Sequence, residues 1–343
     1  MTRLNTLFQH NVTGTLTEEL YAALTSRAVS AVPLKRALEE WIAECRSSTS
    51  LGTADRYELA AREFAAHVNA SEAGPSLAAI TSEHVRSYLT KKRISTSASN
   101  ANMARKVLSI FFRRAIANEQ IKTNPMLAVK RFKPDQDEQT KRRGYTLAEL
   151  ELLFRKAPND FWRYMILGEF YTGLRMGDLI CLRWTSVDFP NKLIRLTANK
   201  TGKPLTIPLY QSFRDLLARL DAGSNHRAAD YIWPVQAARY KKSRSASFSN
   251  EFYDQILTPC GLVPPRESKM ASKAGRKTRR QLNQVSFHSI RHSFISTLRV
   301  TGSNQAIAKE LAGHSSDQVN DLYTHLPLEV LAGAIGQLPE IAK

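Results

Sequence analysis

The stretch Thr172-Gly173-Leu174-Arg175-Met176-Gly177-Asp178-Leu179 follows an apolar run and places an arginine at the start of a new element. Glycine readily takes the left-handed conformation found at helix ends, so Gly173 predicts the end of one helix. Arg175 then begins the next element. By itself the octapeptide fits a helix C-cap followed by a surface arginine equally well, so its meaning depends on the rest of the chain.

The segments on either side predict a unit that combines helices with a small β element. Thr146-Leu147-Ala148-Glu149 resembles a capping box. Helices are expected over about 147–157 and 160–173, over about 211–220, and again after residue 285. Apolar residues over 193–209 flank the turn sequence Asn199-Lys200-Thr201-Gly202-Lys203, which predicts a β-hairpin. The basic segment 264–280 lacks apolar periodicity and is expected to be a loop.

The N-terminal part of the chain predicts a separate, all-helical unit. Apolar residues recur at spacings of three and four over 31–133, and no run there alternates with a period of two. The length of 343 residues also suggests two domains. We therefore expect an N-terminal extension over 1–30, a helical domain over 31–133, a polar linker over 134–144 and a second domain over 145–343 that ends in a tail helix.

The composition points to a polyanionic partner. There are 49 lysines and arginines against 31 acidic residues, which gives a net charge of +18. Nucleic acid is the usual partner of so basic a protein, and a basic surface kept for solubility or an anionic membrane is the alternative. No apolar run predicts a transmembrane helix, no signal peptide is indicated, and the three cysteines are scattered. These features predict a cytoplasmic protein.

Three further signals carry chemistry. Lys200 lies at the hairpin turn, the sequence His288-Ser289-Ile290-Arg291-His292 places His288 and Arg291 on one helical face, and Leu311-Ala312-Gly313-His314 precedes Tyr323 by nine residues. Taken singly, each has an ordinary interpretation as a solvated lysine, a polar helix face or a core tyrosine. The H-E-x-x-H zinc pattern and the phosphate-binding P-loop are absent, so no metal and no cofactor are expected.

In their order and spacing these residues resemble the tyrosine recombinase (phage integrase) family, most specifically over about 145–330. The resemblance implies a mainly α fold, with a helical core-binding domain and an α+β catalytic domain. It implies the catalytic set Arg175, Lys200, His288, Arg291, His314 and Tyr323. Asp178, where many members have glutamate, is expected to support Arg175. Residues 1–30 are too short for the separate arm-binding domain of some phage members.

The chemistry of DNA cleavage agrees with these residue types. A tyrosine nucleophile must lose its proton, and arginines can present paired donors to a phosphate. Lys200 suits protonation of the departing 5′-oxygen, His288 suits proton handling at Tyr323, and His314 suits a hydrogen bond to the phosphate. The resemblance implies a 3′-phosphotyrosine intermediate and strand exchange without ATP. His292 is expected to pack or hydrogen-bond within its helix, as is Ser293.

The resemblance also implies a partner and an assembly. Double-stranded DNA is expected to be gripped by basic residues of the helical domain and linker, namely Arg105, Lys106, Arg113, Arg114, Lys130, Arg131 and Lys133. A homotetramer on two DNA sites is expected, with accessory DNA-bending or directionality proteins as further partners and a nucleoid-associated location in a prokaryote. Residues 327–343 are expected to dock on a neighbouring subunit, and the alternative is a helix that covers its own domain.

The expected function is site-specific recombination, as the integrase of a mobile element. The first alternative is a resolvase of chromosome or plasmid dimers, or a relaxing topoisomerase, that uses the same chemistry. The second is a noncatalytic DNA-binding protein on the same scaffold.

Overall fold

The computed structural model describes residues 32–71, 73–134, 142–223, 225–266, 283–302, 307, 311 and 328–342. The described residues form two compact units, one within 32–134 and the other within 142–342. Helices dominate both units, and the second also holds a small antiparallel sheet, so the predicted mainly α class is confirmed. None of the helices in these ranges is long and apolar enough to cross a membrane. The extension 1–30 and most of segment 264–280 lie outside the described residues.

The first unit is a helical bundle, as the apolar periodicity predicts. Its helices are α1 (Leu34–Ser48), α2 (Leu51–His67), α3 (Ser82–Ser95) and α4 (Ala98–Ala117). Thr81 and Ser97 cap α3 and α4, because their side chains accept backbone N–H groups three residues on. Pro33 precedes α1 in extended conformation and forms a β-bridge with Ser76.

Aromatic side chains form the core of the first unit. Phe64, Phe111 and Phe112 are fully buried, and the Phe64 ring meets Phe112 edge-on with centroids 6.2 Å apart. Trp41 stacks on Tyr57 with centroids 5.5 Å apart. Because α4 carries both Phe111 and Phe112 inward, its basic residues are restricted to the other faces.

The second unit is built around one almost wholly buried helix. This helix is α6 (Asp160–Thr172). The other described helices are α5 (Leu147–Lys156), α7 (Met176–Ile180), α8 (Gln211–Ala222), α9 (Pro234–Ser243), α10 (Ser245–Phe252), α11 (Ser289–Val300) and α12 (Leu328–Gly336). Of these, α5, α7, α8 and α11 pack against α6. A π-helical turn, Tyr253–Leu257, continues α10. The capping box of Thr146 and Glu149 is confirmed.

A three-stranded antiparallel sheet lies in the second unit, in the order β1 (Val187–Asp188), β2 (Leu193–Thr197) and β3 (Pro204–Pro208). The predicted hairpin is β2 and β3, which pair Ile194 with Ile207 and bury both. Its turn closes through a hydrogen bond from the Gly202 amide to the Ala198 carbonyl, with Gly202 at φ +67°. The turn therefore holds residues 199–202 at one end of the sheet.

The C-terminal segment packs on its own domain. Apolar residues of α12 and the chain after it join the core of the second unit, namely Leu331, Ala334, Ile335, Leu338 and Ile341. The hydroxyls of Tyr171 and Tyr210 donate to the carbonyls of Pro339 and Leu338, each over 3.0 Å. These contacts agree with the alternative interpretation, a helix that covers its own domain. Docking on a neighbouring subunit stays a prediction.

Candidate active site

The junction between α6 and α7 presents Arg175. Gly173 ends α6 in the left-handed conformation (φ +63°), and its amide donates to the Glu169 carbonyl over 2.9 Å. A Cβ atom at Gly173 would collide with the ring of Phe294, so the close approach of α11 also requires glycine. Arg175 follows as the half-buried N-cap residue of α7. The octapeptide thus forms the predicted helix end and helix start.

Arg291 is a buried arginine that joins α11 to this junction. Its side chain is 2 % exposed, and its Nη1 donates to the carbonyl of Gly173. Burial and the charge of Arg175 lower the pKa of Arg291 to about 10, against the opposing attraction of Glu169 and Asp178. The guanidinium still carries its charge at neutral pH. Two arginines therefore bring positive charge to one place, which suits a bound anion.

His288 lies immediately before α11, on the same side as Arg291. Its Nδ1 is 3.6 Å from Oε1 of Glu169, and half of its side chain is exposed. Burial and the nearby cations lower the pKa of His288 to about 4, so the imidazole is neutral at pH 7. A neutral imidazole has one nitrogen that can accept a proton.

His292 packs against the start of its own helix, as expected. It is exposed, and its ring meets the His288 ring edge-on with centroids 5.1 Å apart. Ser293 is buried as expected: its Oγ donates to the Ser289 carbonyl and accepts from the Tyr145 amide.

Asp178 anchors the hairpin that carries Lys200. Its buried carboxylate accepts a hydrogen bond of 2.9 Å from the Asn199 amide, and Lys200 is the next, exposed residue. No ion pair joins Asp178 to Arg175 in the part of the chain that the structure describes. The direct partner of the Asp178 carboxylate in the structure is the hairpin backbone at Asn199. Its support of Arg175 stays a prediction.

Glu169 belongs to this site but escaped the sequence analysis. Its carboxyl group is wholly buried on α6 beneath His288 and Arg291, and burial raises its pKa well above the usual value. The only available signal was an acidic residue inside the apolar run 161–174, six positions before Arg175. A carboxyl group inside so apolar a helix needs a charged or hydrogen-bonding neighbour.

The remaining expected site residues divide into three groups. His314 and Tyr323 lie outside the described residues. Five of the basic residues expected at DNA are exposed on the first unit, namely Lys106, Arg113, Lys130, Arg131 and Lys133. Arg105 and Arg114 are half-buried and bond within the fold, to the Val129 carbonyl and to Glu44. Within the described ranges, no group of three or more His, Cys, Asp or Glu side chains could hold a metal ion.

Known proteins are similar to this chain in sequence and in fold. Residues 149–329 match the sequence profile of the phage integrase family. Tyrosine recombinase XerC of Pediococcus pentosaceus is 25% identical over 253 residues, which cover 71% of this chain and 76% of that protein. The integrase of Escherichia phage HK022 is 26% identical over 251 residues, which cover 72% of this chain and 64% of that protein.

A solved structure of a lambda integrase tetramer bound to a Holliday junction has the same fold. It superposes with a TM-score of 0.59 at 19% identity and covers 90% of this chain and 84% of the other. The residues that match the family profile, 149–329, include the α6–α7 junction, the hairpin and α11, where the described site lies. The chain therefore belongs to the phage integrase family of tyrosine recombinases.

Proposed function

We propose that this protein is a site-specific DNA recombinase that cleaves and rejoins duplex DNA through a 3′-phosphotyrosine intermediate. The observation that carries the proposal is the α6–α7 junction, where Gly173 brings Arg175, Arg291 and His288 to one place. Two guanidinium groups and a neutral imidazole suit the binding and proton chemistry of a phosphodiester. Membership of the family supports the same reaction.

Each catalytic residue has one role in the proposal. The phenolic oxygen of Tyr323 bonds to phosphorus, and the bond from phosphorus to the 5′-oxygen breaks. His288 receives the phenolic proton, and Lys200 gives a proton to the departing 5′-oxygen. Charge on the nonbridging oxygens is stabilised by Arg175, Arg291 and His314. The phosphotyrosine bond keeps the phosphodiester energy, so rejoining is the reverse step and needs no ATP.

The anchored hairpin supports the role of Lys200. The hydrogen bond from the Asn199 amide to Asp178 ties the start of the turn to α7. Asp178 is only three residues after Arg175, so the bond holds the turn close to that arginine in the chain. The Lys200 ammonium is exposed on that turn and can approach a phosphate held by Arg175. An exposed ammonium on a tethered turn suits proton delivery better than structural pairing.

We assign DNA binding in the first unit to Lys106, Arg113, Lys130, Arg131 and Lys133. These side chains are exposed, whereas Arg105 and Arg114 hold the fold together. Contacts of this kind go mainly to phosphates and carry little sequence information. We also propose assembly as a homotetramer on two DNA sites, which the solved lambda integrase tetramer supports.

Within this chemistry, we propose integration and excision of a mobile element as the biological role. The similarity to the HK022 integrase supports this role. The similarity to XerC favours the second candidate, a resolvase of chromosome or plasmid dimers. An attachment site beside the gene, with recombination at that site, distinguishes the first role from the second.

A pool of nicked duplexes that tile the DNA flanking the gene tests the chemistry. Loss of the short fragment beyond the nick traps the covalent protein–DNA adduct, which denaturing electrophoresis and sequencing then detect. The wild-type protein should form an adduct and Tyr323→Phe should form none. Equal results for the two proteins contradict the proposal and favour a noncatalytic DNA-binding protein.

Lys200→Ala is a second arm of the same experiment. It should slow adduct formation by about 10²-fold or more, because general acid catalysis contributes at least that much, and should change DNA affinity far less. Equal losses in cleavage and binding would reassign Lys200 to a simple phosphate contact.

A further inference from the structure

Glu169 is a buried carboxyl group that the proposed reaction does not yet use. Its side chain is fully buried, and neither carboxyl oxygen has a hydrogen-bond partner among the described residues. Buried polar groups are nearly always bonded, and a buried carboxyl without a partner costs folding free energy. An apolar residue on α6 would fit the surrounding core better. A group that conflicts with its core is expected where function requires it.

The imidazole of His288 lies close to the carboxyl group of Glu169. Its Nδ1 lies 3.6 Å from Oε1 of Glu169, so a shift of a few tenths of an ångström would form a hydrogen bond. Catalytic hydrogen bonds are often long before substrate binds and tighten in the complex. The other nitrogen of the half-exposed ring, Nε2, is then the one available to the reacting groups.

The charged and titratable groups around Glu169 and His288 come from α11, from the start of α7 and from the segment before α5. Arg291 on α11 attracts the Glu169 carboxylate. Burial raises the pKa of Tyr145, which precedes α5, and the charge of Glu169 raises it further. The cations and imidazole that face His288 are Arg291, Arg175, His292 and Arg142. A protonated His288 is disfavoured in these surroundings, whereas the Glu169 carboxylate beside it is attracted by Arg291.

We propose that Glu169 is a positioning residue for His288: its carboxylate accepts a hydrogen bond from Nδ1–H and holds the ring with Nε2 as the proton acceptor. The inference rests on the proposed recombinase function, and it adds a second residue to the proton path from Tyr323. A carboxylate behind an imidazole fixes the tautomer and stabilises the ring as it gains a proton.

The proton balance explains why a buried carboxyl suits this role. As Tyr323 bonds to phosphorus, its phenolic proton passes to Nε2 of His288, and the Nδ1 proton passes to Oε1 of Glu169. The pair ends as a neutral imidazole beside a neutral carboxylic acid, so no further positive charge is left beside Arg175 and Arg291. Burial raises the pKa of Glu169 and favours this uptake. Rejoining reverses both transfers.

Glu169→Gln tests the proposal because the amide keeps the shape of the side chain and cannot take up a proton. Adduct formation on the nicked duplex is measured from about pH 5 to pH 9 under single-turnover conditions. The wild-type rate should rise with pH as Glu169 ionises. The variant should lose this acidic limb and be at least about tenfold slower at neutral pH. Glu251→Gln, which removes an acid paired with Arg239 instead, should leave rate and profile unchanged.

Two measurements separate positioning from a structural role. Thermal unfolding of Glu169→Gln should show a stability equal to or above that of the wild type, because a neutral amide is less costly to bury than a carboxylate. In a His288→Ala background, Glu169→Gln should cause no further loss of rate, because the two residues act as one unit. If the glutamine variant fails to fold, Glu169→Asp is used: it should keep the acidic limb and lower the rate, since the shorter carboxylate is withdrawn from Nδ1.

The outcomes are distinguishable. An unchanged pH profile in Glu169→Gln, an unchanged rate in Glu169→Asp, or losses that add to that of His288→Ala would overturn the role of Glu169 alone. A wild-type protein that forms no adduct on any duplex of the pool overturns the proposed recombinase chemistry instead.

Discussion

Arg114 of the first unit and Arg291 of the second unit lie in opposite electrostatic surroundings. In the first unit, Arg114 on α4 is held by both carboxylate oxygens of Glu44, with Nε 2.7 Å from Oε2, and this pairing raises the pKa of Arg114. In the second unit, Arg291 donates to the backbone of Gly173, and burial together with Arg175 lowers its pKa to about 10. The charge of Arg114 is paired with a carboxylate, whereas Arg291 places a second positive charge beside that of Arg175.

This difference in surroundings distinguishes an arginine that stabilises the fold from an arginine that is suited to bind a ligand. A fold that neutralises its cations gains modest stability and has little left for a ligand. A fold that places cations side by side is destabilised by their mutual repulsion, and a bound anion removes that repulsion. The net positive charge of the chain therefore says less about function than the surroundings of each cation, which is either paired within the fold or left to bind an anion.

Replacing Arg291 gives the largest expected effect. Arg291→Lys keeps a positive charge but cannot present two parallel N–H donors, so adduct formation on the nicked duplex should fall about 10³-fold. DNA affinity, measured by fluorescence anisotropy, should change far less, because other cations still bind the backbone. Arg36→Lys, a cation already paired with Glu40 in α1, is the matched control and should keep the wild-type rate. Parallel losses in affinity and rate would make Arg291 a binding residue only.

The junction that gathers the cations depends on one glycine. Gly173→Ala should destabilise the second unit by about 2–4 kcal/mol, because alanine is strained at φ +63° and its Cβ would collide with Phe294. Gly202→Ala is the control: its φ is +67°, but no atom lies near the added Cβ, so only about 1–2 kcal/mol of strain is expected. Urea unfolding measures both variants. Equal losses would show that strain alone, and not the approach of α11, requires glycine at the junction.

Local signals in the sequence predicted much of this architecture. The end of α6 at Gly173, the capping box at Thr146 and the hairpin around Lys200 each follow from short-range propensity. Strand β1 escaped prediction because two residues are too few to show a period of two.

The electrostatic partners within the site could not be predicted in the same way. Asp178 bonds to Asn199, 21 positions further on, and Glu169 faces His288 across more than a hundred residues. Such pairs depend on how α6, α7, α11 and the hairpin pack, which no local pattern encodes. The family resemblance points to the reacting residues, but it does not reveal which side chains of this protein contact them.

The smallest expected effect tests the first unit, where Arg113 and Arg114 are neighbours on α4 with different surroundings. Arg114→Ala should lower stability by about 0.2–1 kcal/mol, the range of partly exposed ion pairs. The pairing lowers the pKa of Glu44 from its usual 4.5. Its contribution is therefore present above about pH 4.5 and is lost as pH falls through the lowered pKa, so the unfolding curves of variant and wild type should converge in acid.

Arg113→Ala should show the opposite pattern, because this side chain is exposed and its Nε bonds only to the Ser109 carbonyl of its own helix among the described contacts. Stability should hardly change. If Arg113 contacts a phosphate, the slope of log affinity against log salt concentration should become shallower by about 0.9. A changed salt slope for Arg114→Ala, with no change in stability, would mean that the ion pair with Glu44 opens for DNA. Arg114 of the first unit would then bind DNA as well, and the two units would not differ in how they use their arginines.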